Sequence, residues 1–410
     1  MNAWTRNLRF VSWGPFVVLI VGFAASSAPA QDGFLNLEYG FASHARAAFA
    51  PDNFVGGMVH TPSGDLIIYK GSDLLLLRDD GSETPLATFD PPVVGAFLTL
   101  APDGAAVYFG ESSAGDIFRV PVAGGSADRV DNISFNYDLA FDPSGRGFVS
   151  TGAASEQRIV LLDSDPNGAL VPVIVGIPGF SGPLAFDDAG NLYYGTADFL
   201  AESQSLHRFT PQQLETAVQS GPIDFAVGDV VLEGVVGFNQ MVFDGSGNIF
   251  FSDLGFATGF GSVQAIDISD NFEMVPILET SVSDGIVSPT YLAFRPGPEA
   301  FEPGVGAGGG SLSVLFADFF SVNVLRTVQR QLFFVRGELN GDGDVDLSDI
   351  LVLLGFVFLG QEAPSPLEAG DMNDDGELDL ADALYALNYL FQAGPAIPAP
   401  FPEPGPAPER

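Results

Sequence analysis

From residue 56 to residue 319 the chain repeats one arrangement of apolar and polar positions. A short apolar strand runs into a tight, glycine-containing turn, and a second apolar strand runs out of it. The copies read "GGMVHTPSGDLIIYKG" (56–71), "FLTLAPDGAAVYFGE" (97–111), "LAFDPSGRGFVST" (139–151), "LAFDDAGNLYYGT" (184–196) and "MVFDGSGNIFFSD" (241–253). A sixth, "LAFRPGPEAFEPGVGAGGGSLSVLFADF" (292–319), carries a Gly/Pro-rich insertion in its turn. The β-branched and aromatic runs suit a buried pleated sheet. P-S-G, P-D-G and G-S-G supply hairpin turns whose glycine accepts positive φ.

The turn glycines Gly64, Gly104, Gly145, Gly190 and Gly247 are spaced by 40, 41, 45 and 57 residues. Further strands such as "GDIFRVPV" (115–122) and "QRIVLLDS" (157–164) follow the hairpins. About four strands per period of this length is the signature of a β-propeller blade. Six phrases predict a mainly β fold with six blades over residues 31–336. Residues 33–50 are expected to complete the ring rather than form a seventh blade, because closure removes exposed sheet edges.

The phrase "LAFDPSG" resembles those of the NHL and gluconolactonase-like six-bladed propellers. For the gluconolactonase type, the resemblance implies one divalent metal in the central channel, held by a Glu, an Asn and an Asp at the starts of inner strands. Asn239 falls where that family has its asparagine, but Gln240 replaces the following glycine, Thr290 stands in place of the aspartate, and "FVGGMV" stands where Glu-Gly-Pro belongs. Asp138 and Asp284 lie near strand starts, and Asp253 and Asp318 follow inner strands. Aspartates at strand ends are expected to cap turns. "DSDPNG" (163–168) opens like a calcium loop, but position 12 is Ile174, which suits a hairpin tip. There is no Ser-His-Asp arrangement, HExxH or phosphate-binding glycine loop, so no catalytic residue is assigned.

Beyond residue 336 the pattern changes. "ELNGDGDVDLSD" (338–349) and "DMNDDGELDLAD" (371–382) place an acid or amide at nearly alternate positions. Counting Glu338 as 1, positions 3, 5, 9 and 12 are Asn340, Asp342, Asp346 and Asp349, with Gly343 at 6 and Asp344 at 7. In the second copy Asp371, Asn373, Asp375, Asp379 and Asp382 fill the same places, with Gly376 at 6 and Glu377 at 7. Calcium is a hard cation that takes about 6–8 oxygens, and a twelve-residue loop with glycine at 6 can wrap it. Position 7 contributes a backbone carbonyl. The spacing therefore points to two Ca²⁺ sites.

Neither loop is preceded by an amphipathic helix, since Pro364 and Pro366 break the segment before the second. Each is followed by one, over 348–360 and 381–394. Loop plus exiting helix, repeated at a spacing of 33, resembles the dockerin domain, whose pattern D-x-N-x-D-G-x-x-[DN]-x-x-D departs here at Glu338. The resemblance implies a small helical domain, 337–395, that calcium folds and that binds a cohesin-like module on another protein. The Ser/Thr pair found in many cohesin-binding dockerins is half present as Leu347-Ser348 and absent as Leu380-Ala381. Apolar residues cover the first helix nearly all round, so the faces 350–359 and 383–391 are expected to meet a protein partner or the chain's own propeller.

Composition narrows the picture. The 410 residues carry 52 Asp+Glu against 15 Lys+Arg, a formal charge of −37, which argues against nucleic acid and anionic membrane as partners. With no cysteine, disulfides, thiol catalysis and Cys-ligated zinc are excluded. His44, His60 and His207 are too scattered for a histidine-rich site. Arg6 and Arg9, the apolar run 10–25 and "APA" (28–30) read as a cleaved secretory signal over 1–30, so the protein is expected outside the cytoplasm. The Pro-rich tail 396–410 is expected to be extended or disordered. The leading reading is an exported, calcium-binding scaffold protein whose propeller offers a ligand- or protein-binding face. The alternatives are a lactonase-like or carbohydrate-active hydrolase with a metal in the channel, and an extracellular structural protein with no small ligand.

Overall fold

The computed structural model describes residues 11–13, 16–18, 35–37, 41–49, 55–152, 156–162, 168–197, 204–244, 247–255, 260–268, 271–280, 288–300, 309–317, 323–330, 333–361, 364 and 366–406. The chain forms two compact units, one of residues 1–38 and 43–329 and the other of 39–42 and 330–410. Of the expected leader, only Val11–Trp13 and Phe16–Val18 are described, as an antiparallel pair. The rest of that segment, Asp284, Asp318 and most of "DSDPNG" lie outside the described residues.

The larger unit is a six-bladed β-propeller. Blade 1 is Val55–His60, Leu66–Lys70, Asp73–Leu77 and Glu83–Thr88, in that order from the axis outward. Blade 2 is Gly95–Leu100, Ala106–Glu111, Asp116–Pro121 and Asp128–Asn132. Blade 3 is Asn136–Phe141, Gly147–Thr151, Gln157–Leu161 and Val171–Ile177, with Ile223–Asp224 added in parallel at its edge. Blade 4 is Leu184–Phe186, Leu192–Gly195, Gln204–Phe209 and Asp229–Val235. Blade 5 is Gln240–Phe243, Asn248–Asp253, Ser262–Asp267 and Glu273–Thr280, edged by Leu35–Leu37. Blade 6 is Ser288–Ala300, Gly309–Ala317 and Asn323–Arg330, and its outermost strand is Phe41–Phe49. Each innermost strand packs beside that of the next blade, and Ser288–Ala300 returns to Val55–His60. Within the segment 33–50, Phe41–Phe49 thus completes the ring as the outer strand of blade 6, and Leu35–Leu37 edges blade 5. Asp79 of blade 1 ties the seam, accepting from Arg46 at 2.9 Å and from Arg295 at 3.0 Å.

The core lies between blades. Ile67, Tyr69 and Leu74 meet Leu98, Val107 and Phe109 between blades 1 and 2. Phe148, Ile159 and Ile174 meet Leu184, Leu192 and Phe209 between blades 3 and 4. One device recurs: the residue that closes the inner-strand phrase packs on the second strand of the preceding blade. Phe141 meets Tyr108 with ring centroids 5.1 Å apart, Phe186 meets Phe148 at 5.1 Å, and Phe294 stacks on Phe250 at 5.4 Å. In blade 1 the same position is His60. Its Nδ1 lies 3.0 Å from Gly64 O and its Nε2 2.9 Å from Ser313 Oγ. A carbonyl only accepts, so Nδ1 carries the proton and Nε2 receives the Ser313 hydroxyl.

A helix that the repeat pattern does not announce, α1 (Pro211–Ser220), interrupts blade 4. Thr210 caps it in a capping box with Gln213, and Pro211 opens it.

The smaller unit contains α2 (Leu347–Leu359), the single-turn α3 (Leu367–Gly370) and α4 (Leu380–Gln392). Ile350 and Leu353 of α2 pack on Met372 and on Ala383 and Ala386 of α4. A short helix does precede the second loop, because α3 fits between Pro366 and the first carboxylate. The tail corrects the expectation of disorder for residues 396–406. Ile397 is buried, Phe401 meets Tyr389 edge-on at 5.4 Å, and Gly405–Pro406 pairs with Phe333–Phe334.

Candidate functional site

The two acidic loops share one internal logic. The position-1 carboxylate accepts backbone N–H groups ahead of it: Glu338 Oε1 from Gly341 at 2.6 Å, and Asp371 from Asp375 and Gly376, each at 3.0 Å. Position 3 accepts from the amide of position 5, at 2.8 Å for Asn340 and 2.9 Å for Asn373. Position 5 accepts from the amide of position 7, at 3.0 Å for Asp342 and 2.9 Å for Asp375. These Asx-type turns curl each loop on itself, and Gly343 and Gly376 take φ of +90° and +89° at the sharp bend.

Positions 9 and 12 also form the helix start. Asp346 is the N-cap of α2 and Asp349 its third residue, in a reciprocal capping box. Asp379 and Asp382 repeat this at α4. The same spacing that would close a metal shell therefore caps the exiting helix.

Asp349 and Asp382 are fully buried, at 0% exposure. Asp349 Oδ1 accepts from Leu339 N at 2.7 Å and Oδ2 from Asp346 N at 2.8 Å. Asp382 Oδ2 accepts from Asp379 N at 3.0 Å and Oδ1 from Asn373 N at 3.2 Å. Burial, and then the charges of Asp371 and Asp375, raise the Asp382 carboxyl above its ordinary pKa. Oxygen-only donors and mutually repelling buried acids suit a hard divalent cation. Among the described residues, however, no group of three or more His, Asp or Glu side chains is arranged to hold a metal ion.

Between residues 331 and 409 the only basic residue is Arg336. Its side chain is fully buried. Nε donates to Ala399 O at 3.0 Å, Nη1 to Glu368 O at 3.4 Å and to Asp371 O, and Nη2 to Asp374 Oδ1 at 2.9 Å. Its own amide donates to Pro400 O at 2.6 Å. One guanidinium thus ties the second loop, α3 and the tail together. A lone arginine in so acidic a stretch is a signal legible in the sequence, though its partners are not.

The propeller channel is a cavity of about 610 Å³ lined by the inner strands of all six blades. Asn239 is tied to its neighbours: its side-chain Nδ2 donates to Thr290 O at 2.9 Å, and its backbone carbonyl accepts the Tyr137 hydroxyl at 2.6 Å. Asp253 caps a turn as expected, accepting from Gly255 N at 2.9 Å. Asp138 is 8% exposed and accepts from Leu139 N at 2.9 Å and from Leu184 N of the next blade at 3.0 Å. Burial pushes its carboxyl up to about 7. Gln240, at the same position in blade 5, accepts from Leu292 N of blade 6 in the same way.

The chain is thus a six-bladed propeller followed by a small loop–helix module. Residues 336–391 match the Dockerin type I domain family, and this module is a dockerin type I domain. Solved structures similar to the propeller include a protein assigned as a gluconolactonase (16% identity over 72% of this chain and 93% of that one, TM-score 0.49). Others are a gluconolactonase from Xanthomonas campestris (13%, 76% and 99%, 0.48) and the calcium-binding protein regucalcin from Agrobacterium tumefaciens (18%, 71% and 96%, 0.48). At these identities the likeness concerns fold, not activity. No curated protein matches the chain. No helix among the described residues is long and apolar enough to cross a membrane.

Proposed function

We propose that the protein is an exported docking protein whose dockerin domain, loaded with calcium, attaches the propeller to a protein partner. Glu338, Asn340, Asp342, Asp346 and Asp349, with the carbonyl of Asp344, would hold one ion. Asp371, Asn373, Asp375, Asp379 and Asp382, with the carbonyl of Glu377, would hold the other. The ions would relieve the repulsion among these acids and fix the loops from which α2 and α4 start.

The observation that carries the reading is the apolar surface these helices leave in solvent. Leu351, Phe358 and Leu359 of α2 are 60%, 61% and 75% exposed, and Leu384 and Phe391 of α4 are 56% and 67% exposed. Large exposed apolar side chains grouped on a small domain mark an interaction surface. A cohesin-like module is the partner that the dockerin match supports. The test is capture of a panel of cohesin modules with and without calcium, using Leu351→Asp and Phe358→Asp as controls. Calcium-dependent capture abolished by both substitutions is expected. No capture of any module, or capture indifferent to the substitutions, would remove the reading.

A further inference from the structure

The channel carries a second inference, which deepens the reading of the propeller as the ligand-bearing part of this protein. We propose that it is a binding site for a small organic cation with an apolar body, which enters at the turn end and directs its charged group towards Asp138. The cavity volume falls within the range of roughly 300–1,000 Å³ typical of small-molecule sites. Its walls are built by equivalence. Met58, Leu98, Leu139, Leu184, Met241 and Leu292, one from each blade, occupy the same position two residues before the end of each inner-strand phrase. The adjacent wall position holds only Val, Thr or Ala, from Val59 to Ala293, which leaves the space open.

The two ends differ. At the strand starts, the Tyr137 hydroxyl of blade 3 reaches Asn239 of blade 5, past blade 4, and narrows the opening. At the turn end the lining residues Pro102, Pro143 and Asp188 are exposed. A ligand therefore approaches from the turns.

The lining has one sign of charge. It includes Asp138, Asp142, Asp187 and Asp188 and no Lys or Arg. Burial, with the nearby Arg46 charge, lowers the His60 pKa to about 4, so this ring is neutral near pH 7. A cavity with acids on low-dielectric walls, in a chain of charge −37, concentrates cations and repels anions. Asp142 and Asp187 are committed to their own turns, the first to Arg146 at 2.7 Å and the second to Asn191 at 2.7 Å.

Asp138 differs from these. Its structural task, accepting an N–H from the next blade, is done at the equivalent position by the neutral Gln240. The charge at 138 is therefore more than the fold requires. Each carboxylate oxygen accepts one backbone bond and keeps capacity for another donor.

The test uses the full chain at pH 8, where the Asp138 carboxyl is ionised, and calorimetric titration with three probes of one shape: 1-naphthylmethylamine, 1-naphthylmethanol and 1-naphthoate. The amine is expected to bind about tenfold or more tighter than the alcohol, the scale of one charge-assisted hydrogen bond, and the carboxylate not to bind. Asp138→Asn can keep the inter-blade acceptor and should bring the amine to the level of the alcohol while the chain still unfolds cooperatively. Ala293→Phe, which fills the wall, should weaken both. No saturable binding, equal binding of amine and alcohol, or an amine preference that survives in Asp138→Asn would each overturn the proposal. Because cohesin capture is measured separately, failure here leaves the docking reading untouched, and failure of docking leaves this one.

Discussion

Arg336 donates to Asp374 at 2.9 Å from a fully buried side chain, while three backbone carbonyls take three more of its donors. A lysine cannot serve such a spread of acceptors, because the fork of a guanidinium is planar and an ammonium is a point charge. Arg336→Lys and Arg336→Ala are both expected to destabilise the dockerin domain, the latter by about 3 kcal/mol, as when one partner of a buried network is removed. Limited proteolysis should then cut first within residues 396–406, where the Ala399 carbonyl loses its donor. Unchanged proteolysis of the tail would contradict this.

Calcium removal should act on one unit only. The candidate ligands lie within 338–382, so chelation is expected to melt the loop–helix module and leave the propeller transition in place. Calorimetry with and without a chelator should show one transition moving and one fixed. Asp349→Ala or Asp382→Ala should mimic chelation for one loop, because each removes half of a capping box together with a metal oxygen.

Two buried groups in the propeller should oppose each other as pH changes. The folded-state pKa of Asp138 is raised to about 7, so the folded chain binds a proton more tightly than the unfolded chain. Its contribution to stability falls as pH rises from about 4 to about 7. His60 is lowered to about 4, so its contribution is present above about 6.5 and is lost as pH falls towards 4. In the wild type the two slopes offset. Asp138→Asn should leave stability rising with pH over this window, and His60→Gln should leave it falling. Denaturant unfolding at pH 4.5, 5.5 and 6.5 measures both.

No lactonase activity with added Ca²⁺ or Zn²⁺ is expected, since of the three ligands that the gluconolactonase resemblance implies only Asn239 is present, with Thr290 in place of the aspartate and "FVGGMV" in place of Glu-Gly-Pro. A turnover abolished by Asn239→Ala would overturn that expectation.

The repeated hairpin was legible because turn and strand residues recur at blade spacing, and the loops because an ion's geometry demands their spacing. Less was legible where a structure depends on distant partners. Leu35–Leu37 offers only three residues of pattern, and its pairing with Glu273–Thr280 is set by the ring. The helix α1 was readable in principle, from Thr210, Pro211 and Gln213, but a repeat-based reading does not look for it. The tail appeared free because proline-rich composition is silent about a buried guanidinium seeking carbonyls. Asp138 is legible as an acid near a strand start, whereas its equivalence to Gln240 emerges only from the shared bond to the next blade.

The outer strand of blade 6 is Phe41–Phe49, which precedes blades 1 to 5 in the chain, and its partner Asn323–Arg330 follows them. During translation the growing arc of blades therefore carries two unsatisfied edges until synthesis passes residue 330. A ribosome stalled before that point would hold an open, self-adhesive crescent. Synthesis beyond residue 330 is the event that lets both edges close at once.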